Sequence, residues 1–295
     1  MDFSTILSTL FNGLSLGAIY ALIALGYTMV YGIAKMLNFA HGDVIMVGAF
    51  TIFVTLSSTN HMWLAILVTV IVCTLLGVVM EKIAYKPLRG ASPLAVLITA
   101  IGVSYFLQSV AQLIFGSQPQ SLPAGLGITQ QLTIFGERIS LTTIITLVIG
   151  AIIMTALTLF VKNTNTGRAM QAVSEDRGAA TLMGINVNKI ITITFAIGCC
   201  LAAAASVFYL MQISQAQPTL GSMPGIKAFT AAVIGGIGSI PGAMIGGILL
   251  GVIEKICLAI PAVANYTTAI EFAFLILILL VRPIGILGKK RREKV

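Results

Sequence analysis

Few residues in this chain carry side chains able to do acid–base or ligand chemistry, and they are scattered. Asn38, His41 and Asp43 place an amide, an imidazole and a carboxylate close together, a spacing suited to proton transfer or to a polar lining. The other histidine, His61, stands in a separate polar break. A membrane-embedded enzyme needs catalytic groups converging at one depth, so the sequence points to no enzyme and no catalytic residue. Two readings of Asn38, His41 and Asp43 stay open: a solvated loop end, or polar groups that shape a gate or pathway mouth.

Cys73, Cys199, Cys200 and Cys257 fall in apolar segments without CxxC or His-rich spacing. They read as small apolar core residues, not as metal ligands or disulfide partners. No GxxxxGK[ST] loop occurs, and no hydrophilic segment is large enough for a nucleotide-binding domain. The chain itself is therefore expected to need no cofactor.

The elements that must position these residues are apolar. Charged residues make up 9% of the chain and hydrophobic ones 58%, against about 25% charged in an average soluble domain. Charge-free runs cover 3–34, 44–80, 90–136, 141–161, 190–226 and 228–253, and each holds one or more spans of roughly 20 residues. The expected fold is an all-α polytopic membrane protein of about 8 transmembrane helices, forming a single transmembrane domain over 1–295. The first run follows Asp2 without a basic leader or a small-residue cleavage site, and is expected to stay as a helix. Run 44–80 would extend about 55 Å as one helix, so a break is expected at Ser57, Ser58, Thr59, Asn60 and His61.

Orientation follows from the retention of basic residues on the cytoplasmic side. Lys35, the clusters Lys82/Lys86/Arg89 and Lys162/Arg168/Arg177/Lys189, and Arg282 with the tail of 284–295 place 14 of 17 basic residues inside. Loop 116–140 then lies outside. Within it LTIF and RISL, around Gly136-Glu137, read equally as two strands joined by a type II′ turn or as an irregular loop. The net charge of +8 is explained by attraction to anionic membrane lipids, without nucleic acid.

Ending inside requires an odd number of crossings after residue 226, so the stretch from Lys227 to Lys255 is expected to be a broken or re-entrant helix pair, interrupted at Gly238-Ser239-Ile240-Pro241-Gly242. Broken backbone at membrane depth is tolerated where protein or a water-filled path buries it. Gly235, Gly236, Gly238, Pro241 and Gly242 are thus pathway candidates, while the four-residue spacings Gly242/Gly246 and Gly247/Gly251 favour close helix packing. Lys227, at the outer end, either snorkels to the headgroups or meets a substrate carboxylate or an acidic protein patch. Glu254, Lys255 and Glu271 read as interfacial residues, and the interior is expected to lack deep charges and any proton relay.

The long hydrophilic excursion is 162–189. Ser174 can cap a helix of about ten residues whose first turn carries Glu175 and Asp176 and which Gly184 ends. Ala179, Leu182 and Met183 share one face, which suits either a partner's groove or the headgroup surface.

The stretches NGLSLGAIYALIALGYTMVYGIAKMLNFAHGD (12–43), EKIAYKPLRG (81–90), GRAMQAVSEDRGAATLMGINVNKI (167–190), GIKAFTAAVIGGIGSIPGAMIGG (225–247) and RPIGILG (282–288) resemble the permease subunits of bacterial ABC importers for branched-chain amino acids, Liv-type H-like subunits above all. The resemblance covers nearly the whole chain. It implies a multi-pass subunit of the bacterial inner membrane that pairs with a paralogous membrane permease. It further implies two cytoplasmic ATP-binding subunits, which alone use ATP, and a periplasmic substrate-binding protein that delivers cargo. Loop 162–189 would hold the coupling helix, with Ser174, Glu175, Asp176, Ala179, Leu182, Met183 and Gly184 at the ATPase contact. Leucine, isoleucine and valine are the implied cargo; urea or another small amide or amino acid is the alternative within the family. An ion-coupled secondary transporter is the rival outside it.

Overall fold

The computed structural model describes residues 3–122, 130–134 and 137–288. Their elements run α1 (Phe3–Ala34), α2 (His41–Thr59), α3 (Met62–Met80), α4 (Pro93–Phe115), β1 (Gln120–Ser121), β2 (Gln131–Ile134), β3 (Glu137–Ser140), α5 (Leu141–Asn163), α6 (Asn165–Glu175), α7 (Arg177–Leu182), α8 (Val187–Ile213), β4 (Gln215–Ala216), α9 (Ser222–Gly235), α10 (Ile240–Ala259) and α11 (Thr267–Val281). Eight helices among the described residues are long and apolar enough to cross a membrane. One of them continues α3 through a π turn, Glu81–Tyr85, and a 3-10 turn, Lys86–Leu88.

Helix α1 is the axis of the bundle and packs on α10, α8, α9 and α5. Its residues from Leu16 to Val30 are almost all buried. Between membrane helices the hydrophobic effect gives little drive, so close van der Waals approach must do the work. The glycine pairs of α10 provide it in two directions. A Cβ on Gly247 or Gly251 would strike Ala21 or Gly17 of α1, and one on Gly242 or Gly246 would strike Gly235 or Ala231 of α9. The packing role expected for these spacings is thus what the structure shows. Helices α3, α4 and α11 lie at the periphery and carry apolar side chains such as Trp63, Leu113 and Leu280 on exposed faces.

The break expected at 57–61 is narrower than its polar stretch. Helix α2 runs through Thr59, and the turn is made by Asn60 in the left-handed region, φ 55°, whose N–H donates to the Leu56 carbonyl. Outside the helices, β2 and β3 pair antiparallel with Ile134 opposite Glu137. Glu137 is therefore a strand residue, and Gly136, the other residue of the expected turn, lies outside the described residues. A second ladder, unexpected from sequence, pairs β1 with β4 and ties the end of α4 to the end of α8.

The hydrophilic excursion folds as two helices. Thr164 caps α6, accepting from Gly167 N at 3.0 Å, and α6 buries Gly167, Met170 and Val173. That buried stripe carries the helix past Ser174, so Ser174 is not the expected N-cap; its Oγ donates to the Gln171 carbonyl at 2.7 Å. Asp176 takes the capping role for α7, accepting from Ala179 N at 3.0 Å, with its charge at the positive end of the dipole. Glu175 is the last residue of α6. Gly184 ends the segment with φ 80°, as its position implied.

Candidate functional site

After α1 ends, Lys35 adopts φ 54° and residues 36–40 return into the bundle without helical structure. Asn38 accepts from the Tyr85 hydroxyl at 2.6 Å. The His41 ring lies against Gly26 of α1 and edge-on to Tyr27 at 4.8 Å. Asp43 Oδ1 accepts from Gln108 Nε2 at 2.9 Å, and that amide also reaches Ser222 at 3.3 Å. Asn38, His41 and Asp43 are each no more than 2% exposed, which overturns the solvated loop end. The motif's glycine acts differently, through its missing side chain. A Cβ on Gly42 would meet the Gly221 carbonyl oxygen at 2.5 Å and Gly225 Cα at 3.0 Å. The first turns of α2 and α9 thus touch backbone to backbone.

The second discontinuity lies between α9 and α10. Gly236 and Gly238 hold φ 105° and 94°, a region that L side chains rarely enter. The break spans 236–239, earlier than expected, because Ser239 caps α10 by accepting from Gly242 N at 3.2 Å. Pro241 and Gly242 are consequently first-turn residues of α10, where proline is tolerated. Helix α10 is long enough to span by itself, while α9 has 14 residues. The carbonyls that a helix end leaves unpaired are covered by the C-terminal segment: Ile286 N donates to Ile234 O and Leu287 N to Gly235 O, both at 2.9 Å.

The two discontinuities face each other across a cavity lined by Tyr27, Tyr31, Met36, Asn38, Phe229 and Ile237. Its empty volume is about 220 Å³, with about 10 Å³ open to the centre of a water molecule, room for about one water. Asn38 Nδ2 finds no acceptor among the described residues.

Lys227 does not snorkel. Its ammonium lies 2.8 Å from Glu254 Oε1 and 3.2 Å from Glu271 Oε1, joining α9, α10 and α11, and Tyr20 of α1 donates to Glu254 Oε2 at 2.8 Å. Glu254 and Glu271 are therefore paired within the bundle and do not stand singly at its surface. A second buried carboxylate, Glu81, accepts from Arg89 and, at 2.8 Å, from Thr192 Oγ1. The reason is common to both: an ion with a partner inside the bundle escapes the cost of facing lipid alone.

On the surface that α7 presents, Ala179, Leu182 and Met183 are exposed, Leu182 at 90% and Met183 at 82%. The opposite side is anchored. Arg177 donates to the carbonyls of Ile33 and Ala34, at 3.2 Å for the former. Burial, with the Arg89 charge as a smaller cause, lowers the Arg177 guanidinium from its ordinary value, and arginine remains charged in any case.

The family described as branched-chain amino acid transport system / permease component matches residues 9–279. The chain belongs to that family. It is 44% identical to the high-affinity branched-chain amino acid transport system permease protein BraD of Pseudomonas aeruginosa, over 98% of each chain. It is 42% identical to LivH of Escherichia coli K12, over 100% of this chain and 99% of that one. The probable branched-chain amino acid transport permease protein LivH of Methanocaldococcus jannaschii is 28% identical over 90% of this chain and 88% of that one.

In this permease the structure brings Asn38 and the break next to Gly236 and Gly238 to one cavity, and holds Lys227 apart in its ion cluster. Sequence reasoning missed Tyr27, Tyr85, Gln108 and Phe229. Tyr27, Gln108 and Phe229 sit in apolar runs where an aromatic or a lone glutamine carries no positional signal, and Tyr85 sits among the charges of 81–89, which read only as an orienting cluster. It also missed Arg177, which reads from sequence only as a charge that orients the loop.

Proposed function

We propose that this permease is one membrane subunit of an ATP-driven importer of leucine, isoleucine and valine in the bacterial inner membrane. It pairs with a paralogous permease and works with two cytoplasmic ATP-binding subunits, one of which docks on loop 162–189. A periplasmic binding protein delivers the cargo. The observation that carries this reading is identity of 42–44% to BraD and LivH along the full chain. The exposed Leu182 and Met183 on α7 support the docking face, since a short apolar ridge suits a partner's groove. The buried carboxylates remove one objection to an ion-coupled carrier, and family membership outweighs that gain.

The cycle follows from differential binding. ATP draws the two ATP-binding subunits together, α7 moves with them, and the membrane helices pass between states open to one side or the other. The test is purification of the tagged chain from gently solubilised membranes, followed by ATPase assay with binding protein present. A second permease and two P-loop subunits should co-purify, with hydrolysis stimulated by leucine, isoleucine or valine. A chain that purifies alone and transports on an ion gradient would overturn the proposal.

A further inference from the structure

The last four carbonyls of a helix have no partner within it, and those of α1 can be followed one by one. Tyr31 O accepts from Lys35 N at 2.9 Å, and Gly32 O accepts from the Lys35 ammonium. The final two, Ile33 O and Ala34 O, accept from Arg177, which lies more than 140 residues later in the chain. One guanidinium nitrogen, Nη2, donates to both carbonyls and places positive charge at the negative end of the helix dipole. Arg177 is also the first residue of α7, directly after the Asp176 cap.

The consequence is mechanical. Ile33 and Ala34 run without interruption into the non-helical link, whose Met36 and Asn38 form one wall of the small cavity. Across the cavity stand Phe229 of α9 and Ile237 of the glycine break. The far half of the link is tied by the Tyr85 hydroxyl to Asn38 at 2.6 Å and by the His41 N–H to the Asn38 carbonyl at 3.1 Å. The start of the link is set by the α1 terminus, and the α1 terminus is held by α7.

We propose that Arg177 is the positioning residue that transmits movement of α7 to the link 35–40, and so governs whether the cavity beside Asn38 is shut or open. This rests on the docking role proposed for α7. A hydrogen-bonded charge tie suits such transmission because it resists both pulling and sliding, whereas apolar contact alone permits slippage.

The test uses the whole importer in vesicles, with partner permease, both ATP-binding subunits and binding protein, and reads leucine uptake and ATP hydrolysis on the same sample. Arg177→Gln should leave the subunit ratio unchanged and raise ATP hydrolysed per leucine imported by about tenfold, within the usual range of coupling between sites. Arg177→Lys, which keeps the charge and one donor direction, should fall between. Uptake and hydrolysis that decline in step, or that both stay at the wild-type level, would overturn the proposal. Failure of both variants to assemble would assign Arg177 to folding and also overturn it. If the wild-type complex itself shows no ATP-dependent uptake, the subunit reading fails instead.

Discussion

Glu81 and Lys227 are both buried charges in a membrane-spanning bundle, and they are settled in opposite ways. Glu81 sits where α3 passes into its π turn, with donors on both oxygens, from Arg89 and Thr192. Arg89 is shared with Asn188 and keeps its side chain 15% exposed. Charge is balanced there one to one. Lys227 instead stands between two carboxylates on separate helices. Glu254 has a second donor in Tyr20, but Glu271 Oε2 has no partner among the described residues. The first group is a one-to-one ion pair at a helix end. The second is a cross-bundle staple in which one cation serves two anions.

The largest effect should therefore come from Lys227→Met. It leaves two carboxylates close together without their cation, and removing one member of a buried ion group costs about 3–5 kcal/mol. The expected outcome is poor accumulation and a sharply lowered thermal midpoint in detergent. A wild-type midpoint would show that water reaches the group, and the contrast with Glu81 would collapse.

Glu81→Gln should cost less. Thr192 keeps an acceptor, and Arg89, already partly exposed, can turn toward solvent, so the loss is that of a charged hydrogen bond, about 1.5–3 kcal/mol. Thermal melting of the purified chain would check it. A loss exceeding that of Lys227→Met would invert the comparison.

The Lys227 group is not legible in the sequence because of where its partners are. The spans, the Asn60 turn and the glycine break are encoded locally, by runs of apolar residues and by residue types that favour or forbid particular backbone angles. The pairing of Lys227 is not local: Glu254 and Glu271 lie on the two following helices, and a lysine at the edge of an apolar run looks the same whether its ammonium meets headgroups or carboxylates. Asn38, His41 and Asp43 mislead for a related reason. A polar break between apolar runs ordinarily reaches water, yet Lys35 turns the chain back and Gly42 lets it lie flat against Gly221 and Gly225. In the hydrophilic loop the Gly184 stop is legible, while the choice of Asp176 over Ser174 as cap depends on which stripe α6 buries.

The smallest effect separates the two carboxylates of the staple. In Glu271→Gln, the amide oxygen still accepts from Lys227, and the amide N–H2 takes the place of an oxygen that has no donor among the described residues. One surplus negative charge disappears, leaving Lys227 and Glu254 paired one to one, as Glu81 and Arg89 are. Loss of the surplus charge lowers the repulsion between the two carboxyl groups while Lys227 keeps an acceptor, so the thermal midpoint should hold or rise. Glu254→Gln offers the matched control, because it removes the carboxylate that takes both Lys227 and Tyr20, and it should melt lower than Glu271→Gln. If the two variants lose stability equally, the surplus charge is not what distinguishes the staple. If Glu271→Gln keeps its stability but loses uptake, the unpaired oxygen belongs to the transport cycle and not to the fold.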